Sequence, residues 1–327
     1  MNFDLGPDQR DAADGAREFF AGRTSAGAAR AALEGARVEP GRKALADIGF
    51  LGITVPEAAG GAGAGVLDLA VVAEQGGAVL AGPSLVTAAR AAVLLAEEPE
   101  LAAQLADGSV GFAVLDGSAP AIDAADASVF LALDDDGALV VGEGEVTPGA
   151  PLDATRGLAR VRLTDRRVLR PDAGDLWARA RQVAAVVLAA EDLGAADRAV
   201  RMGVAYAQER EAFGRRIGSY QAVKHMLVDA WVGVDQLRSL VWWAAWAADA
   251  APAELPLAAS AAKAYAAEVF ERAAETVVQV HGGIGFTWEH DAHLYWRRAK
   301  VDRLLLGDEA EHLDTVARLA VAGALTP

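Results

Sequence analysis

The chain has 327 residues, no cysteine and a formal net charge of −16, from 30 basic and 46 acidic residues. That excludes disulfides, thiolate metal sites and a cysteine nucleophile, and a sequence pI near 4.7 argues against a nucleic-acid groove or an anionic membrane surface. Hydrophobic residues make up 53%, too many for a disordered chain and enough for about two or three domains with substantial cores. The N-terminal "MNFDLGPDQRDAADG" carries acids where a secretion signal carries positive charge, and runs such as "VAAVVLAA" and "LVWWAAWAA" are too short to span a bilayer. Together with the missing cysteines, this suggests a cytoplasmic protein without nucleic-acid or membrane partners.

In chain order, residues 1–108 read as a helical domain. "QRDAADGAREFF" and "GRKALADIGF" have helical apolar spacing, "LGITVPEAAGGAGAG" is a loop, and helices resume over Val66–Leu80 and Leu85–Leu95. Residues 109–170 change character. "VGFAVLDG", "ASVFLALDDDGALVVGEG" and "LARVRLTD" are β-branched and alternating, with "DDDG" as a hairpin turn. They form a small β domain of roughly four or five strands. Residues 171–327 return to helices over about 172–211, 219–250, 255–280, 288–303 and 308–323, and their length predicts an antiparallel bundle with crossings near ~20°. The fold class expected is mainly α with one reduced β domain.

Several motifs yield to plain structural readings. The run Gly60–Gly65 follows a candidate strand, "FLGITV", but Val66 stands where a dinucleotide loop needs its third glycine, so a structural loop is expected. "EHDAH" (Glu289–His293) and "EAEH" (Glu309–His312) contain one E-x-x-H pair where a di-iron bundle needs two, so they read as solvated helix faces. His225 has no orienting partner and reads as a core or interface histidine; Trp242, Trp243 and Trp246 read as core or interface packing.

Two stretches suggest more. "EREAFGRRIGSYQAVKH" (Glu209–His225) gathers Arg210, Arg215, Arg216 and Lys224 around Phe213. The first long helix is expected to run to Glu211 and stop near Gly214, with Ser219 capping the next and Gln221 in its first turn. A helix N-terminus beside arginines suits phosphate. "QVHGGIGF" (Gln279–Phe286) puts three glycines within four residues between two helices, where backbone amides can approach a ligand closely. Both within one bundle suggest a ligand with a pyrophosphate and a planar ring.

The first of these resembles the E-R-x-x-F-G-[KR]-x-[IL]…Q segment of the acyl-CoA dehydrogenase family, and "QVHGGIGFTWEHDAHLYWRRAK" resembles its Q-x-x-G-G-x-G-[FY] segment with the helix after it. "LADIGFLGITVPEAAGGAG" resembles the family's N-terminal loop. The resemblance implies an N-terminal helical domain, a β domain and a C-terminal four-helix bundle. It also implies FAD at a subunit interface, an acyl-CoA substrate and an electron-transfer flavoprotein as acceptor. Carried over by position, Arg210, Phe213, Gln221, Gln279, Gly282 and Gly283 would contact the pyrophosphate and adenosine half of a flavin seated mainly in a neighbouring subunit.

Three departures limit what carries over. The family's T-E-P-x-A-G-S-D-like and W-[IV]-[TS]-N-G segments, which line the flavin ring, have no counterpart in "VGFAVLDGSAPAIDAADAS" or "GALVVGEGEV". Removing the proton α to a thioester carbonyl needs a carboxylate base. Yet the family's two positions for that glutamate fall on Leu306, before Gly307, and near Ala184. Glu191, seven residues on and on the same face, is the nearest substitute, with a helix-surface or buried, paired glutamate as its plain reading. The chain is also short, chiefly in the β domain. These features resemble the shorter, degenerate subunit of actinobacterial heterotetrameric dehydrogenases that act on steroid side-chain CoA thioesters. The expectation is therefore a non-catalytic subunit that completes an FAD site in an α2β2 assembly. The alternatives are a self-sufficient homo-oligomeric dehydrogenase with an atypical base, and a cofactor-free structural or assembly protein.

Overall fold

The structure is a computed structural model describing residues 4–324; the first three residues of the acidic N-terminal segment lie outside that range. Six short helices come first: α1 (Pro7–Arg23), α2 (Ala26–Leu33), α3 (Arg42–Asp47), α4 (Val66–Ala78), α5 (Leu85–Leu94) and α6 (Pro99–Ala106). The candidate strand "FLGITV" is instead a 3₁₀ turn, Phe50–Gly52, and the glycine loop folds back onto it. The amides of Ala62, Gly63 and Ala64 bond the carbonyls of Gly52, Val55 and Ile53 at 2.8–2.9 Å. Those amides are spent within the chain, so the loop has a structural role.

The sheet has four strands in the order β1 (Phe112–Leu115), β2 (Val129–Leu133), β3 (Leu139–Pro148) and β4 (Ala159–Arg170). β1 and β2 are parallel; the other pairs are antiparallel. The "DDDG" hairpin forms as expected: the Asp134 carboxylate accepts the amides of Asp136 (3.1 Å) and Ala138 (2.9 Å), closing the turn.

Five helices follow: α7 (Gly174–Glu209), α8 (Gln221–Ala250), α9 (Leu255–His281), α10 (Ala292–Asp302) and α11 (Glu309–Ala324), with α9 packing against α7, α8 and α11. α7 is the central post, and Val183–Ala196 is buried all round. It crosses α4 backbone to backbone. A Cβ at Gly77 would lie 1.9 Å from the Glu191 carbonyl oxygen, and one at Gly194 would lie 1.8 Å from that of Glu74. Trp242 is buried in the core, with Trp243 and Trp246 packed against it.

Three further sequence expectations change. α7 ends at Glu209, because residues 211–216 fold into a small hairpin of β5 (Glu211–Ala212) and β6 (Arg215–Arg216). Its tip has Phe213 at φ 51° and Gly214 at φ 76°. Ser219 does not cap α8: its hydroxyl donates to the Arg216 carbonyl at 2.7 Å, and Tyr220 is the N-cap residue. The histidines reverse: His293 and His312, expected on solvated faces, are buried, whereas His225, expected in the core or at an interface, is exposed on α8 and is no core residue. Among the described residues, no cluster fit for a metal ion forms, and no helix is long and apolar enough to cross a membrane.

Candidate functional site

The two stretches singled out in the sequence meet at one end of the bundle. Tyr206, near the end of α7, stacks on His281, the last residue of α9, with ring centroids 4.1 Å apart. Beneath them Ala207, Leu227 and Val280 form a small core with Ile217 and Val223 packed against it. This core brings the α7–α8 hairpin and the glycine turn Gly282–Phe286 side by side. Arg210, Phe213, Gln221, Gln279, Gly282 and Gly283 are all exposed there, and Phe213 is 98% exposed. Gly282 sits at φ 64°, a backbone conformation that favours glycine. The Tyr220 ring carries the Arg215 guanidinium 3.9 Å from its centroid. α8, 30 residues long, begins at Gln221 with no side-chain cap, so its first amides and its positive end face outward. Cations, a helix N-terminus, a bare glycine turn and an uncovered aromatic fit the anionic and planar groups of an adenosine pyrophosphate.

The positions that need a base look different. Ala184 is fully buried in α7, where a carboxylate would be an unpaired core charge. Leu306, at φ 61°, lines a cavity of about 240 Å³ with Gly307, Arg90, Asp116, Arg181 and Glu311. Both acids facing that cavity are engaged. Arg90 forks onto Asp116 with two 2.6 Å bonds, and Arg181 holds Glu311 at 2.7 Å.

Glu191 belongs to a network that sequence reasoning missed. Arg156, from the turn between β3 and β4, is 1% exposed. Its guanidinium takes Asp302 of α10 at 2.8 and 2.5 Å, Ser84 at 3.2 Å, and Glu191. Glu191 in turn accepts the Ser84 hydroxyl at 3.0 Å and the Leu85 amide at 3.2 Å. A second buried arginine, Arg298 of α10, pairs with Asp153 and Thr155. Burial works against the charge of Asp302, but Arg156, by charge and hydrogen bond, overrides it and holds that carboxyl below its ordinary range. Asp192 is pushed well above its ordinary range by burial and by the Asp302 charge. Burial also lowers Lys263, whose ammonium donates to the Asp302 carbonyl at 3.1 Å. One signal could have exposed this hub: Glu191 and Asp192 interrupt the apolar run "VAAVVLAAEDLGAA", where acids need buried partners.

The comparisons with known proteins agree with this layout. Residues 6–98 match the model of the acyl-CoA dehydrogenase N-terminal domain, and residues 162–321 match that of the acyl-CoA dehydrogenase C-terminal domain. Acyl-CoA dehydrogenase IpdE2 of Mycobacterium tuberculosis (strain ATCC 25618 / H37Rv) is 37% identical over 281 residues, covering 81% of this chain and 81% of that protein. The ChsE4-ChsE5 complex from Mycobacterium tuberculosis superposes with a TM-score of 0.86 at 26% identity, covering 100% of both chains. A Tcur3481-Tcur3483 steroid ACAD variant does so with a TM-score of 0.84 at 27% identity, covering 99% of this chain and 100% of that one. The chain therefore belongs to the acyl-CoA dehydrogenase family, whose members are oxidoreductases acting on acyl-CoA.

Proposed function

We propose that this chain is the non-catalytic subunit of a heteromeric, FAD-dependent acyl-CoA dehydrogenase. The observation that carries the reading is a division within one chain. The residues suited to the FAD tail are gathered and exposed, while Leu306 and Ala184 hold the places where a base would stand. FAD held there would supply the hydride acceptor for the β carbon. Arg210 and the amide end of α8 would hold its pyrophosphate, Phe213 would cover the adenosine side, and the turn at Gly282 and Gly283 would give the backbone close access. Each charge-assisted contact of this kind contributes about 1.5–3 kcal/mol. The homologous partner supplies the base that removes the α proton. Two observations support a partner. Val228, Trp231 and Val232 form an exposed apolar stripe on α8 at helical spacing. The structurally similar ChsE4-ChsE5 is itself a complex. The steroid description of the Tcur3481-Tcur3483 structure favours a steroid-derived acyl-CoA as the substrate class.

Glu191 is a strut, with its carboxylate taken up by Arg156, Ser84 and Leu85. The assembled enzyme tests this assignment. Glu191→Gln and Glu311→Gln in this chain should leave turnover per flavin within about twofold of wild type. Replacing the partner's base should lower it about 10²–10⁴-fold, the usual contribution of acid–base catalysis. A loss of turnover with flavin still bound in either variant of this chain would assign catalysis to it instead.

A further inference from the structure

A larger cavity, of about 710 Å³, opens between α1, α3, α5 and the sheet loops, and none of its lining residues belongs to the hairpin or the glycine turn. Its outer and inner ends differ in chemistry. Around the mouth stand Arg23, Arg37, Arg42 and Lys43 against Glu39, Asp47 and Asp126. Four cations against three carboxylates leave one surplus positive charge, in a chain that is otherwise strongly acidic. Lys43 is paired with Asp47 at 2.7 Å, and Arg42 is spent on the carbonyls of Gly108 (3.1 Å) and Asp126 (3.2 Å). Arg23 and Arg37 are exposed and form no ion pair among the described residues. The wall behind them is apolar, with Phe19, Leu51, Leu105 and Phe112.

The inner end is polar and built. Asp123 sits there at φ 60°, a conformation that non-glycine residues rarely adopt. Its carboxyl accepts the Ser84 amide at 3.1 and 3.3 Å and is bonded by Thr87. A carboxyl has about four acceptor positions, so these bonds leave room for a further donor. Burial pushes this group up to about 7, against the pull of Thr87 and Ser84. A large, partly apolar cavity with a few convergent polar groups and a perturbed carboxyl is the usual form of a small-molecule site.

We propose that this cavity is a second small-molecule site, and that it takes an elongated apolar monocarboxylate carrying a hydroxyl at its far end. The carboxylate meets Arg23 and Arg37, the apolar body lies along the wall, and the hydroxyl donates to Asp123. Thr87 lines both this cavity and the one at Leu306. A ligand here would therefore press on the wall of the pocket where a family base would stand.

The experiment is isothermal titration calorimetry on the full chain, with any subunit that copurifies. The probes are 12-hydroxydodecanoate and dodecanoate, each below its micellar concentration. Wild type should bind one molecule per chain, the hydroxy acid about tenfold tighter, as one hydrogen bond implies. Ala44→Trp, which fills the cavity from α3 without touching the polar end, should weaken both acids more than about tenfold. The double variant Arg23→Ala, Arg37→Ala should weaken both about equally, and Asp123→Asn should narrow the gap between them. Circular dichroism establishes that each variant is folded. Absence of binding by wild type, equal affinity for the two acids, or affinity untouched by Ala44→Trp would each overturn the proposal.

Discussion

Arg156 holds three separate parts of the chain on one guanidinium: Ser84 before α5, Glu191 of α7 and Asp302 of α10. Breaking a buried pair by removing one partner leaves an uncompensated charge and costs about 3–5 kcal/mol. Arg156→Met should lower the urea-unfolding free energy by that amount. A loss below about 1 kcal/mol would show that the hub contributes little. Asp123 gives a pH signature. The folded protein holds its proton up to about 7, whereas the ordinary value is 3.8. Its contribution is therefore full below about pH 4 and is lost as the pH rises toward 7. Asp123→Asn removes that dependence, so the stability of the variant relative to wild type should grow between pH 4 and 7 in urea titrations. A difference that stays flat over that range would mean that the carboxyl titrates normally. At this scale the sequence was partly legible. The six residues proposed for the FAD tail stand in recognisable local motifs. Arg156, Asp302 and Asp123 do not, because their partners lie 35 to 146 positions away and only the fold brings them together.

Helices were the most legible elements, since a long apolar period admits one secondary structure. α7, α8 and α9 fall within two residues of their expected bounds. The hairpin after α7 was read as two more helical residues because "EREAFGRR" keeps helical composition. The helix stops where Arg210 turns extended, at φ −68° and ψ 127°; Gly214, expected as the stop, instead forms the tip of the hairpin with Phe213. Gly214→Val would place a β-branched side chain at φ 76°. Its expected effect is loss of FAD affinity in the assembled enzyme, with global stability changed by no more than about 1–3 kcal/mol, the usual cost of one strained residue. Flavin fluorescence titration measures the affinity; unchanged retention of flavin would remove the hairpin from the site. The crossing of α4 on α7 is a second element-scale test. Gly194→Ala puts a methyl group against the Glu74 carbonyl, with no flexible side chain to yield. It should cost about 1–3 kcal/mol or more by thermal unfolding.

The whole molecule combines a sound family fold with a divided site. Its core is continuous from α1 through the bundle, the sheet is small, and the surface bearing Phe213, Trp231 and the glycine turn is uncovered. Trp231→Glu should abolish copurification with the partner subunit while changing the chain's own stability by no more than about 0.5 kcal/mol, as an exposed substitution does. An assembly that survives this change would place the partner on another face. The central claim is that FAD is held across an interface to which this chain brings the tail contacts and no base. The visible absorption spectrum of the chain, purified alone and purified with its homologous partner, tests it most directly. The chain alone should be colourless and inactive, and the pair should show the flavin bands and reduce them on addition of acyl-CoA. Stoichiometric flavin and acyl-CoA oxidation by the chain alone would contradict it.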